Sequence, residues 1–141
     1  MTTPIKDQMD IENLAARYNQ AIDLGNPQTW VDCFMPNGEF SIVEVGPWSS
    51  SVRNLEVGTW RGHSELLAFA TRVAAGGLQR HWSTNRLLTL DGDEIDSISY
   101  MTILYLDTSD ASGLLTGIMR DRLVKLNGHW RFQTRHITFD R

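Results

Sequence analysis

Two residues far apart in the 141-residue sequence, Asp23 and His81, are of types that act together as a base. Asp23 ends a segment, 7–24, in which Ile11, Leu14, Ala15, Tyr18, Ala21 and Ile22 recur at helical spacing before Gly25 stops it. A carboxylate in the last helical turn meets the negative end of the macrodipole, which costs about 0.3–1 kcal/mol. It is either an exposed acid that the turn tolerates or one kept because a cation or a histidine N–H needs it. His81 sits in the stretch 79–85, Gln-Arg-His-Trp-Ser-Thr-Asn, after the Gly76-Gly77 break and before a β-rich run. A carboxylate on one ring nitrogen would fix its tautomer and leave the other nitrogen as a base usable near neutral pH. The other histidines have plainer places: His63 in a turn, His129 after an Asn-Gly hairpin, and His136 on the strand face opposite Arg135.

Two further residues could stabilise charge. Tyr18 lies on the apolar stripe a little over one turn before Asp23. Its hydroxyl either finds a backbone partner in the core or points into a pocket as donor or acid. Arg135 alternates with Gln133 and Ile137 on one face of the last strand. Facing solvent it is ordinary; facing inward, its guanidinium would bind an anion or a leaving group. Trp30, Phe34, Trp48, Trp60 and Trp82 offer aromatic surface near the same place. Other chemistries lack their motifs: there is no Gly-rich phosphate loop, no metal-ligand spacing and no Gly-x-Ser-x-Gly elbow. No cofactor is expected.

The elements that must position these residues follow from pattern. Asn26-Pro27 starts a second, short helix with Asn26 as N-cap; Trp30, Val31 and Phe34 form its apolar face, and Pro36-Asn37-Gly38 ends it. Strands over 39–45 and 55–60 pair as a hairpin. The segment 61–64 is a turn, with Ser64 capping a helix through Leu66, Leu67, Phe69, Ala70 and Val73. Runs ending at Asp91-Gly92-Asp93 and at Asn127-Gly128 are hairpin signals, and 95–106, 114–126 and 130–139 are strands. Two helices, a hairpin, a helix and four antiparallel strands make an α+β fold. Its three helices close one side of a cone formed by a strongly curved antiparallel sheet. The mouth of the cone is where a ligand fits.

Composition restricts the alternatives. A net charge of −4 with interspersed signs gives no basic stripe for nucleic acid. No apolar run spans a bilayer and no signal-peptide core begins the chain. The lone Cys33 forms neither an intrachain disulfide nor a cysteine metal site. One domain over 1–141, cytoplasmic and off the membrane, is expected.

Several of these residues carry a resemblance to the SnoaL-like branch of the nuclear transport factor two-like superfamily. They are Tyr18 with Ala21-Ile22-Asp23, Arg80-His81 followed by Asn85, Asp91-Gly92-Asp93, and Gly128-His129-Trp130-Arg131-Phe132. The resemblance implies a cystatin-like α+β barrel. Within the superfamily the Asp-plus-His pattern resembles scytalone dehydratase, hexachlorocyclohexane dehydrochlorinase and the bile-acid 7α-dehydratases. In those enzymes a histidine held by an aspartate removes a proton as a leaving group departs. The resemblance places Asp23 and His81 on that dyad, Tyr18 on a bile-acid-enzyme tyrosine and Arg135 on an arginine near the dehydrochlorinase leaving group. The second active-site histidine of scytalone dehydratase has no counterpart, since the strand reads Thr116-Gly117-Ile118-Met119.

The expected function is therefore a lyase of the dehydratase type, with His81, Asp23, Tyr18 and Arg135 catalytic. Trp30, Phe34, Trp48, Trp60, Trp82 and Met119 would line a pocket for a small, mostly apolar cyclic substrate. An isomerase or cyclase, a non-catalytic dioxygenase small subunit, or a ligand-binding module would use the same fold. Apolar residues on both faces of 98–106 imply a homo-oligomer; the resemblance to the dehydratases implies a trimer, with a dimer as the alternative.

Overall fold

The computed structural model describes residues 2–47, 55–107 and 113–140. Helix α1 (Ile5–Asp23) buries Ile11, Leu14, Ala15, Tyr18, Asn19, Ala21 and Ile22, the expected stripe with Asn19 added. Gly25 follows at φ 76°, a conformation a side chain would strain. Helix α2 (Pro27–Val31) begins on its proline; Asn26 holds the N-cap position, although its side chain makes no capping bond.

Strand β1 (Phe34–Val45) starts earlier than the sequence pattern indicates, and this corrects the reading of Pro36-Asn37-Gly38 as a helix end. These residues form an irregularity inside β1, where the register against the last strand shifts between Phe34 and Glu39. Gly38 is needed there: a Cβ would lie 3.0 Å from Phe34 Cβ and 3.1 Å from the Phe132 carbonyl oxygen. Strand β2 (Gly58–Arg61) pairs antiparallel with β1. Helix α3 (Gly62–Ala74) begins two residues before the expected Ser64 cap. Glu65 Oε2 instead accepts the Arg61 backbone N–H at 2.7 Å.

The remaining strands are β3 (Gln79–Asp91), β4 (Glu94–Tyr105), β5 (Leu114–Leu126) and β6 (His129–Phe139). They form an antiparallel meander within a six-stranded sheet of order β2-β1-β6-β5-β4-β3. The β1–β6 pairing is parallel, so the sheet is not antiparallel throughout as expected. Helix α3 carries the chain from the β2 edge to the β3 edge, and the meander returns with β6 running alongside β1. Irregularities in β1, β3 and β6 bend the curved sheet around the helices, which contact β1, β3 and β6.

Side chains alternate along β4: Ile95, Met101 and Ile103 face the helices, whereas Ile98, Tyr100, Thr102 and Leu104 face outward. Around the inward set, Leu14, Trp30, Phe34, Leu66, Leu115, Met119, Leu123 and Phe132 complete the core. Among the described residues, no helix is long and apolar enough to cross a membrane.

Candidate active site

The end of α1 and the start of β3 meet at Asp23 and His81. Asp23 Oδ1 lies 2.6 Å from His81 Nδ1, and Asp23 Oδ2 accepts the His81 backbone N–H at 2.8 Å. One carboxylate therefore clamps both the ring and the backbone of the histidine. An ionised carboxylate only accepts, so the ring bond requires the proton on Nδ1 and leaves the lone pair on Nε2. These two donors offset the unfavourable placement of an acid at a helix C-terminus. Both side chains are nearly buried, at 10% and 5% exposure, so solvent screens the contact little.

His81 lines a partly enclosed, mostly apolar cavity of about 70 Å³. Tyr18, Ile22 and Trp30 form part of its helical wall, Phe40, Met101 and Ile137 part of its sheet wall, and Leu55 and Tyr105 also line it. Larger depressions lie on the outer sheet face around Arg120 and Arg122 and along the groove between α1 and β3. Those are open to solvent. The smaller cavity is the one that combines the histidine, the tyrosine and an apolar wall, the combination a ligand site needs.

Tyr18 has its ring 5.3 Å from Trp30 and 5.7 Å from Phe132, centre to centre. Burial pushes its hydroxyl pKa up to about 12, against the pull of Arg135 and the Trp30 indole N–H. Tyr18 is thus a neutral donor throughout the physiological range.

Arg135 faces inward, but it does not line the cavity. It is fully buried and paired in a fork with Asp121, at 2.7 and 2.8 Å, with its guanidinium 4.4 Å from the Tyr18 ring centre and 3.9 Å from that of Phe132. Burial opposes its charge, yet Asp121 and Tyr18 more than compensate and raise its pKa. Arg86 approaches the same Asp121 at 3.7 Å and bonds Glu12 Oε1 at 2.8 Å. Burial and then Arg135 lower the Arg86 pKa. Two guanidiniums thus share one buried carboxylate.

The expected pocket residues separate. Trp30 lines the cavity. Phe34 and Met119, at 1% and 0% exposure, are core residues outside its lining. Trp60 stacks behind it on Phe69, with ring centres 4.4 Å apart. Trp82 follows His81 on a strand, so it points to the opposite face and is 55% exposed. Trp48 falls outside the described residues. Pattern reading missed Gln79, which shares the inward face with His81, and the pair Asp121 and Arg86. Asp121 was findable: it occupies the apolar phase of β5 between Met119 and Leu123. Arg86 was not, because it turns inward only after a bulge at Asn85. Among the described residues, no group of three or more His, Cys, Asp or Glu could hold a metal ion.

A cone of this kind is shared with a recognised group of proteins. The chain belongs to the family of the SnoaL-like domain, whose model matches residues 3–136. Among solved structures it is similar to Rv3472, a protein of unknown function from Mycobacterium tuberculosis, at 26% identity and TM-score 0.80, over 98% of this chain and 79% of that one. A putative scytalone dehydratase from Novosphingobium aromaticivorans shares 18% identity at TM-score 0.77, over 97% and 86%. LinA shares 17% at TM-score 0.75, over 97% and 88%. The latter two likenesses establish the fold alone. Among curated proteins none matches the sequence.

Proposed function

We propose that the chain is a cofactor-independent lyase of the dehydratase type, acting on a small, mostly apolar cyclic molecule. The observation that carries this reading is the 2.6 Å Asp23–His81 contact at the wall of an apolar cavity. Asp23 holds the imidazole and stabilises the imidazolium that forms. His81 Nε2 takes a proton from a carbon beside a carbonyl. The C–H electron pair becomes the C=C bond as the C–O bond to the leaving hydroxyl breaks. The imidazolium returns its proton to that oxygen, so water departs and the base is regenerated. Tyr18 donates to the charge developing opposite, and Arg135 acts from behind the Tyr18 ring.

The family resemblance and the fold shared with a putative scytalone dehydratase agree with this chemistry. A cavity of about 70 Å³ is small beside the roughly 300–1,000 Å³ of drug-sized ligand sites, which favours a compact substrate. A cytoplasmic location and self-association through the outer sheet face belong to the same reading.

Base chemistry can be tested before the natural substrate is known. In D2O the protein should catalyse exchange of the α-protons of cyclohexanone, followed by NMR. Loss of a positioned base costs about 10²–10⁴-fold. His81→Ala and Asp23→Asn should each lose that much, and the double variant little more, because the pair acts as a unit. Exchange no faster than buffer with the wild-type chain, or undiminished in His81→Ala, would remove the reading.

A further inference from the structure

Gln79 brings a full amide into a cavity lining that is otherwise mostly apolar. It is 5% exposed and lies two residues before His81, on the same face of β3. Its backbone is engaged: it pairs with Tyr105 on β4, and its carbonyl oxygen accepts from Arg80 Nη1. Its side-chain amide bonds no described residue. Other residues of the lining near the start of β3 and the end of β4, such as Val73 and Ile103, have no polar side-chain atom to offer. Nor is the amide sealed off, as the unpartnered Oδ1 of Asn19 is. Taking an amide out of water without partners is costly, and a leucine or methionine would fill the place without that cost. A polar group of the ligand accounts for it.

We infer that Gln79 is a specificity-determining residue that holds the leaving hydroxyl of the substrate, so that the site takes a cyclic alcohol in preference to a halide of the same shape. Its reaction rests on the base reading; its binding rests on the amide alone. An amide matches a hydroxyl on both counts: the Gln79 Nε2–H donates to the oxygen, and Oε1 accepts the O–H proton. A halogen has no proton to give and leaves Oε1 bare, and sites built to pair a hydroxyl discriminate strongly against analogues lacking it. Alternate residues on one strand face stand about 7 Å apart, so a small ring can meet Gln79 and His81 together. As the C–O bond breaks, its electron pair stays on the oxygen, which takes the imidazolium proton and departs as water. The growing negative charge strengthens the bond from the Gln79 amide in step.

The probes are cyclohexanol and chlorocyclohexane, which differ in OH against Cl. The side-chain 1H–15N resonances of Gln79, assigned through its own carbons, are followed during titration. Cyclohexanol should move an amide proton downfield in a saturable way; chlorocyclohexane should not. Gln79→Met replaces the amide with an apolar chain of similar length. Affinities in both proteins are read from an Ile103 methyl resonance at the cavity wall. The preference for the alcohol over the chloride should fall about 10-fold in Gln79→Met, the worth of one to two hydrogen bonds.

A Gln79 amide that responds alike to both probes, or to neither, overturns the inference, as does a preference unchanged by Gln79→Met. The wild-type amide shift stands by itself if Gln79→Met folds poorly. A downfield shift at Gln79 without His81-dependent exchange of cyclohexanone retains the hydroxyl site and rejects the base. His81-dependent exchange with an indifferent Gln79 amide does the reverse.

Discussion

At the scale of single residues, the candidate site is built on two buried polar clusters in which acids are held by donors. Asp23 and His81 satisfy each other across 58 positions of sequence. Asp121 is held between two arginines, and its charge is what permits Arg135 to be buried beneath Tyr18. Asp121→Ala should therefore destabilise the fold by about 3–5 kcal/mol, measured by urea unfolding, because it strands buried positive charge. A loss below about 1 kcal/mol would mean that the cluster is wetter than its burial indicates. Two acids are raised by burial: Cys33 from 9.0 to about 11 and Tyr18 from 10.0 to about 12. In both cases the folded state keeps a proton that the unfolded chain releases. Stability should thus be intact below pH 9 and decline between pH 9 and 12, by up to about 1.4 kcal/mol per pH unit for each group. Tyr18→Phe should flatten the part of that decline above pH 10; an unchanged slope would contradict the burial of the phenol.

Residue identity also governs what the sequence could reveal at this scale. Asp23 and Tyr18 stand out against helical periodicity and His81 against a strand onset, so each could be picked out by pattern. The pocket aromatics could not be sorted, since tryptophan and phenylalanine serve core, cavity and surface alike. Only strand phase separates Trp82, on the outside, from His81, on the inside.

At the scale of elements, β3 does the most to arrange the site. Before its bulge, Gln79, His81 and Ser83 face the helices; after it, Arg86, Leu88 and Leu90 do, while Leu87 is 69% exposed. Asn85 makes the switch at φ 56°, in the left-handed region that asparagine tolerates and β-branched residues resist. One inserted residue thus lets a single strand present both the histidine and the buried arginine. Asn85→Val should cost about 1–2 kcal/mol in unfolding measurements, whereas Asn85→Gly should be close to neutral. Equal effects of the two would show that the backbone there is not constrained. Helix α1, the hairpin turns at Asp91-Gly92-Asp93 and Asn127-Gly128 and the Gly25 stop were legible because period and turn chemistry are local. The bulge, the early start of β1 and the parallel β1–β6 pairing were not, since they are settled by strands distant in sequence.

At the scale of the whole molecule, the sheet separates two surfaces with different work. Its concave face and the helices enclose the cavity. Its outer face shows Leu87, Tyr100 and Leu114 at 69%, 53% and 44% exposure, with Ile98, Leu104 and Ile118 partly covered among them. Apolar surface of that kind favours self-association. Light scattering at micromolar concentration should give two or three times the mass of one chain, and Tyr100→Lys should lower it; a wild-type monomer would refute this. The central claim, however, concerns one proton. A long-range 1H–15N correlation spectrum of the histidines reads directly which His81 nitrogen carries it. The proton should reside on Nδ1, facing Asp23, with Nε2 bare and able to act as a base. A neutral ring protonated at Nε2, with its lone pair toward Asp23, would contradict the account.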